Sequence, residues 1–564
     1  MVVLTVTKEQ RTKNKEQRTK NKEQRTKNKE QRTKNKEQRT KNKERRTKNK
    51  ERRTKNKEQI MLSSLIWIPV IGGIIIGFLP EKQADQSRPF ALIIASLLLV
   101  LTVAVGLQFD PSQEGLFLSE SFPWLEQLGL TYYLGVDGLA LPLIFINSFL
   151  TLIAIYASPA KIARSRFYYA LLLFLSAGTA GAFLAQNVLL FFLFYEIELI
   201  PLYFLIAIWG GENRGYAATK FLLYTAISGA LVLASFLGIV WLSDASSFDY
   251  EPLQAQILPL GSQIILLLIL LAGFGIKIPI FPFHTWLPDA HVEASTPISI
   301  LLAGVLLKLG TYGILRFGIG LFPDAWSVLA PYLAIWAAIS ALFGALAAIS
   351  QKDMKRVVAY SSIAHMAYIL LAAAAATPLS LVAAMGQMIS HGLISALLFL
   401  LVGTVGKKTG TRDVDTLRGL LNPERGLPII GSLMIVGVMA SAGIPGMVGF
   451  ITEFLVFRGT FSAFPIATLL CLVGTGLTAV YFLLMINRVF FGRLPQAFSN
   501  LPAVPWSDRI PAVVLAVLIV VLGLQPSWLV RWSETETAAL SNQLPVTSEQ
   551  LAVISDQLPV TSEQ

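Results

Sequence analysis

Three kinds of residue that most redox and catalytic proteins depend on are nearly missing from this sequence. Cysteine occurs once, as Cys471 inside an apolar run, whereas cysteine-ligated iron–sulfur clusters, disulfides and Cys-rich zinc sites need several thiols. Histidine occurs four times, with no second ligand at the i, i+4 spacing of a helical metal site. Charged residues make up only 15% of the 564 positions, against about 25% in soluble domains. Phosphate-binding loops are missing too. No Gly-x-Gly-x-x-Gly follows a strand-like run, and the stretch Gly403 to Thr409 lacks both the first glycine of a P-loop and the Ser or Thr after its lysine. The sequence therefore predicts no bound metal, nucleotide or redox cofactor, and leaves electron transfer to other chains.

What is abundant is apolar: 54% of the residues. The formal charge of +12 would suggest a nucleic-acid partner, but residues 1–60 hold 24 Lys and Arg and eight Glu, while 61–564 hold 23 basic and 27 acidic residues. The basicity belongs to one tail, so no nucleic-acid partner is expected. From Lys8 to about Asn56 that tail repeats Lys-Glu-Gln-Arg-Thr-Lys-Asn every seven residues. No position of the repeat is apolar, so it has no seam to bury and forms at best a frayed helix. Read three times, the seven bases AAAGAAC encode the same heptapeptide. Residues 1–60 thus read as a translated DNA array, with Met61 as the expected start. A second polar seven-residue repeat fills the C-terminus from Gln543, giving an expected low-complexity tail over 531–564.

Between the tails lie runs of about 20 apolar residues, the length a bilayer span requires. They predict an all-α polytopic membrane protein with about fourteen transmembrane helices. Two spans carry internal breakers: the seventh reads Gly275-Ile-Lys277-Ile-Pro279-Ile-Phe-Pro282, and the twelfth reads Gly443-Ile-Pro445-Gly446. Proline removes an intrahelical hydrogen bond, and freed carbonyls then face a cavity, as in transporter midplane sites. Pro279 and Pro445 fall at nearly equal distances from the starts of spans four and nine. This spacing predicts two inverted five-helix repeats with helices 7 and 12 broken. The resulting division is 61–160 for helices 1–3, 161–325 for the first repeat (entrance half-channel), 326–495 for the second (exit half-channel) and 496–530 for the last helix.

Four charges inside spans stand out: Glu196, Lys277, Lys308 and Glu453. Each costs at least ~2.5–3.5 kcal/mol at the bilayer centre. They therefore mark either static ion pairs or a proton path, and breaks beside them that could admit water favour the path. His365 and His391 lie in spans ten and eleven as candidate proton relays. His284 and His291 flank Trp286-Leu-Pro-Asp289 near a predicted membrane boundary, where they are expected to tie a loop to a helix end. Glu198, two residues from Glu196, points about 200° away on a helix. Only one of the two carboxylates can face Lys277.

The strings Tyr195-Glu196…Pro201-Leu-Tyr-Phe204, Lys277-Ile-Pro279…His284-Thr-Trp-Leu-Pro-Asp-Ala-His291, Leu307-Lys308…Tyr312-Gly and Gly443-Ile-Pro-Gly446…Gly449-Phe-Ile-Thr-Glu453-Phe454 resemble the antiporter-like membrane subunits of respiratory complex I, most closely the chain 4 type of NAD(P)H–quinone oxidoreductase. The resemblance covers about 61–535 and implies a fourteen-helix fold with two inverted repeats. It implies that Glu196 and Lys277 form the modulating pair of the entrance half-channel. Lys308 with His365 or His391 would continue a central axis, and Glu453 would be the exit group. It further implies a subunit with no cofactor of its own, in a proton-translocating complex that uses NAD(P)H or ferredoxin and plastoquinone. Its partners would be other membrane subunits, further antiporter-like ones among them, in a bilayer that the tandem array and motif set suggest is a cyanobacterial thylakoid. A sodium/proton antiporter subunit, which shares fold and pair, is the alternative. A membrane subunit that has lost conduction would not be expected to keep four such charges. At ~8 Å and an effective dielectric of 20 the pair is worth about 2 kcal/mol, less than the ~3.5 kcal/mol needed to move a proton against ~150 mV. On that separation the pair alone does not drive a proton.

Overall fold

The computed structural model describes residues 10–22, 24, 27, 61–250 and 253–545. The chain divides into two units, Met1–Met61 and Leu62–Gln564. In the first, residues 10–22 are helical with exposed side chains. The rest of the basic repeat, and the C-terminal repeat beyond 545, lie outside the described residues.

The second unit is a helical bundle built from α1 (Met61–Gly77), α2 (Ser87–Gly106), α3 (Ala140–Ala157), α4 (Ser165–Leu184) and α5 (Val188–Trp209). It continues through α6 (Arg214–Leu242), α7 (Leu260–Lys277), α8 (Trp286–Glu293), α9 (Thr296–Ile319), α10 (Pro323–Ile349) and α11 (Met354–Ala375). It closes with α12 (Pro378–Thr409), α13 (Pro428–Ser441), α14 (Val448–Phe461), α15 (Pro465–Phe490), α16 (Trp506–Leu524) and α17 (Glu534–Asn542). Twelve helices among the described residues are long and apolar enough to cross a membrane, and α1 and α13 are shorter apolar ones. The sequence sets their ends. Proline opens α10, α12, α13 and α15, where its missing N–H is no loss. The Asn187 and Asp353 side chains accept from backbone N–H groups at the starts of α5 and α11.

Both predicted breaks are present. Helix α7 stops at Lys277, and the chain resumes helically at Phe283 before α8. The second break runs between Ser441 and Val448, with Gly443 at φ 68° and Gly446 at φ 89°, a left-handed backbone that favours glycine. Within α9, two π-helical stretches, Leu302–Leu306 and Ile314–Ile319, bracket the turns that carry Lys308. Hydropathy does not reveal which helices are central. All the candidate spans are similarly apolar, yet α9 is wholly buried while only a third or less of α2 and α16 is buried.

Two features depart from the sequence reading. A hairpin, β1 (Leu118–Leu125) paired antiparallel with β2 (Leu130–Val136), joins α2 to α3. In place of a low-complexity tail from residue 531, α17 packs on the bundle with Thr537 and Leu540 buried, and Ser541 Oγ donates to Ala376 O at 2.7 Å. The reading failed there because a mostly polar helix of nine residues is too short to carry a clear periodic signal. Leu540→Asp is expected to free this helix, because it replaces about 1.5–3 kcal/mol of burial with an unpaired carboxylate. Limited proteolysis should then cut near residue 531 in the variant and spare the parent.

Candidate functional site

The break after Lys277 leaves the ammonium at a helix C-terminus, where the backbone dipole favours a cation. Its Nζ lies 2.5 Å from Glu198 Oε1, and both side chains are almost wholly buried. It also sits 4.3 Å above the centre of the Tyr195 ring. The contact partner is therefore Glu198, not the Glu196 that the resemblance implied. The reason is local. Helix α5 is interrupted at Glu198, whose backbone N and Cβ pack over Gly178 of α4 and whose carboxylate turns inward, with Thr179 Oγ1 3.4 Å away. Glu196 is half-buried and lies against Gly229 of α6, where a Cβ would meet its Oε1 at 1.9 Å.

The next buried group is Lys308 of α9. It donates to Ala303 O at 2.5 Å and stands 2.7 Å from His391 Nδ1. With Lys308 charged, its ammonium can only donate, and His391 then accepts at Nδ1 with its hydrogen on Nε2, an atom with no hydrogen-bond partner among the described residues. The His391 and His365 rings are 5.7 Å apart. His365 Nδ1 faces Ser361 O at 2.7 Å, while Nε2 faces Ser441 O at 3.2 Å and Glu453 Oε1 at 3.3 Å. Carbonyl and carboxylate oxygens only accept, and a doubly protonated ring satisfies all of these contacts. Ser441 ends α13, so the second break offers a freed carbonyl to His365. A narrow cavity joins these groups, with Ser361, Gln387, Ser390 and Ser395 beside His365, His391 and Glu453. Among the described residues, Ser390 Oγ and Glu453 Oε2 also have no hydrogen-bond partner.

The four histidines thus divide. The His291 ring stacks on Phe399 at 4.3 Å, while its backbone carbonyl accepts from Lys355 Nζ at 3.0 Å. His284 packs against Phe281 and Phe343.

The sequence reading missed two buried cations. Lys355 donates to His291 O, Ala294 O and Ser299 Oγ, using all three hydrogens to tie α11 to α8 and α9. Its position beside Asp353 and Arg356 at a predicted span boundary made it resemble a solvated charge. Arg316 of α9 pairs with Asp137, the residue after the hairpin, and lies 3.8 Å from Glu536 of α17. Burial, with the nearby Asp137 carboxylate, pushes the Glu536 carboxyl above the usual carboxylate range. An arginine inside the eighth apolar run was the available signal.

Buried cations alternating with carboxylates and imidazoles at two helix breaks are what a chain of proton-transfer groups requires. Comparison with known proteins points the same way. Residues 185–478 match the family described as NADH:quinone oxidoreductase/Mrp antiporter, transmembrane. Among relatives, the NAD(P)H-quinone oxidoreductase chain 4 2 of Synechococcus sp. (strain JA-3-3Ab) is 39% identical over 503 residues, spanning 85% of this chain and 93% of the relative. The chain belongs to this family. The chain 4 protein of Prochlorococcus marinus (strain NATL2A) is 40% identical, over 82% of this chain and 88% of its own. Among solved structures, a chain of respiratory complex I from Thermus thermophilus with bound NADH superposes with a TM-score of 0.78. It is 26% identical and covers 86% of this chain and 100% of that one. A chain of the Mrp complex from a Dietzia species, 20% identical with a TM-score of 0.76, shares the fold over 88% of this chain and 99% of its own. This family member is a multi-pass integral membrane protein.

Proposed function

We propose that this chain is a proton-translocating membrane subunit of an NAD(P)H- or ferredoxin-dependent quinone oxidoreductase, coupling electron transfer in other subunits to proton movement. The observation that carries this reading is the buried series Lys277–Glu198, Lys308–His391, His365–Glu453, centred on the wholly buried helix α9. Lys277 takes a proton from the entrance side and holds it against Glu198. When that pair opens, the proton passes to Lys308, which hands its own proton to His391. Across the polar cavity, His365 releases a proton by way of Glu453 and takes one from His391 in its place, with Glu196 as a second carboxylate near Lys277. Chain 4 names among relatives near 40% identity support an oxidoreductase complex over an antiporter. In this reading the two broken spans belong to two inverted five-helix repeats within a fourteen-helix bundle. Donor and plastoquinone bind elsewhere in the complex, whose further antiporter-like subunits flank this chain in a thylakoid membrane.

Purifying the complex through a tag on this chain is the test. Oxidoreductase subunits should co-purify, and proton uptake should follow quinone reduction without a sodium requirement. Co-purification with antiporter subunits alone, and sodium-dependent proton movement, would assign the chain to the alternative.

A further inference from the structure

Between the Lys277–Glu198 pair and the face that carries the hairpin lies a layer of aromatic rings: Phe183, Phe191, Phe236, Phe274, Tyr312 and Phe317. They come from α4, α5, α6, α7 and α9, and none is more than 1% exposed. Phe317 is central, with its ring centre 4.6 Å from Phe191 and 5.2 Å from Phe236. Phe183 meets Tyr312 edge-on at 5.4 Å, and Phe191 reaches Phe274 at 6.3 Å. The one hydroxyl in the layer, that of Tyr312, donates to Phe183 O at 3.2 Å. A proton relay needs each acceptor to pass a proton onward, and a backbone carbonyl does not. On the outer side of the rings sits Arg316, one turn after Tyr312. Its Nε donates to the Tyr312 hydroxyl at 3.2 Å, its guanidinium pairs with Asp137, and its carbonyl accepts from Tyr250.

We propose that this aromatic layer, pinned by the Arg316–Asp137 pair, seals the entrance region against the hairpin-bearing face, so that a proton on Lys277 cannot leave through that face and its way forward is towards Lys308. The inference rests on the proton-transfer reading and adds a direction to it. An ion in a dry apolar layer carries a solvation cost of tens of kcal/mol, and a water that could carry the proton needs polar partners. The one polar group these rings carry, the Tyr312 hydroxyl, is already held between Phe183 O and Arg316 Nε. The contrast lies within the same chain: the cavity at His365 and Glu453 is lined by serines, a glutamine and two imidazoles. Arg316 is a positioning residue in this scheme. It holds Tyr312 and the end of α9 against the hairpin strand, where Glu536 of α17 also converges.

The test is passive proton conductance of the purified complex in sealed vesicles, with no electron donor present. Phe317→Ser places a void and a hydroxyl at the centre of the layer. Conductance should rise about tenfold or more, the change that ~1.4 kcal/mol of barrier carries. Phe317→Leu, still apolar, should stay near the parent. Arg316→Gln should leak and Arg316→Lys, which keeps the pair with Asp137, should be tight. If Phe317→Ser does not assemble, Phe236→Ser probes the same layer. An assembled serine variant as tight as the parent would overturn the proposal, as would a leucine variant that leaks as much as the serine one. The leak needs no turnover. A parent complex that pumps no protons while Phe317→Ser leaks would therefore overturn the pumping role and leave the seal standing.

Discussion

Lys277→Ala is expected to abolish proton translocation through this chain in the assembled complex, and Glu198→Gln to come close to abolishing it. The contact distance sets the size of the effect. At 2.5 Å and an effective dielectric of 20, opposite charges attract by about 7 kcal/mol, against about 2 kcal/mol at ~8 Å. Opening the pair therefore changes the energy of a proton on Lys277 by more than the ~3.5 kcal/mol needed against ~150 mV. The shortfall found at ~8 Å concerned Glu196 and does not apply to this contact pair with Glu198. Glu198→Gln leaves a buried ammonium with no carboxylate in contact, a change that costs about 3–5 kcal/mol when one member of a buried pair is removed. Glu196→Gln should be the milder of the two glutamine variants, because Glu196 is half-buried against α6 and makes no ion pair with Lys277. Glu196→Asp, which keeps the charge, should be milder still. Comparing proton uptake for the three carboxylate variants in one vesicle preparation checks the ranking. A more severe loss in Glu196→Gln than in Glu198→Gln would show that the contact pair is not the working one.

The second large effect is expected at the other break. Glu453 Oε1 is 3.3 Å from His365 Nε2, and the carboxylate folds over Gly443, where a Cβ would come within 3.0 Å of Oε2. Glu453→Gln removes the charge that balances a ring facing oxygen acceptors through both nitrogens. The ring must then lose a proton and one of its two carbonyl contacts, to Ser361 or to Ser441. Translocation should fall by about an order of magnitude or more, as when one partner of a buried ion pair is lost. Gly443→Ala should give a smaller loss, since it strains a left-handed turn and presses on the same carboxylate. Proton release on the exit side, followed with a dye confined to that compartment, would check both. Unaltered release by Glu453→Gln would remove this residue from the path.

The sequence exposed the helical class, the two breaks and the charges Lys277, Lys308 and Glu453, because each is an exception to a strong local rule. An apolar run admits few charges, and a helix interior admits few prolines. It did not show which carboxylate Lys277 meets. Helical spacing said that Glu196 and Glu198 point apart, but the choice depends on the interruption of α5 and on Gly178 and Gly229 in two other helices. Lys355 was hidden for a related reason. A lysine near a span boundary reads as solvated unless the acceptors that receive it are known, and these are two carbonyls from α8 and the segment beyond it and a serine hydroxyl from α9. The hairpin was missed because its strands, such as Leu118–Leu125 with five consecutive exposed residues, lack the alternation that a half-buried strand shows.

The proton-to-electron ratio of the purified complex in sealed vesicles, measured for the parent and for Lys277→Ala, tests the central claim most directly. The account predicts that electron transfer to quinone continues in the variant while the proton count drops by the share this chain carries. An unchanged ratio in an assembled Lys277→Ala complex would contradict it.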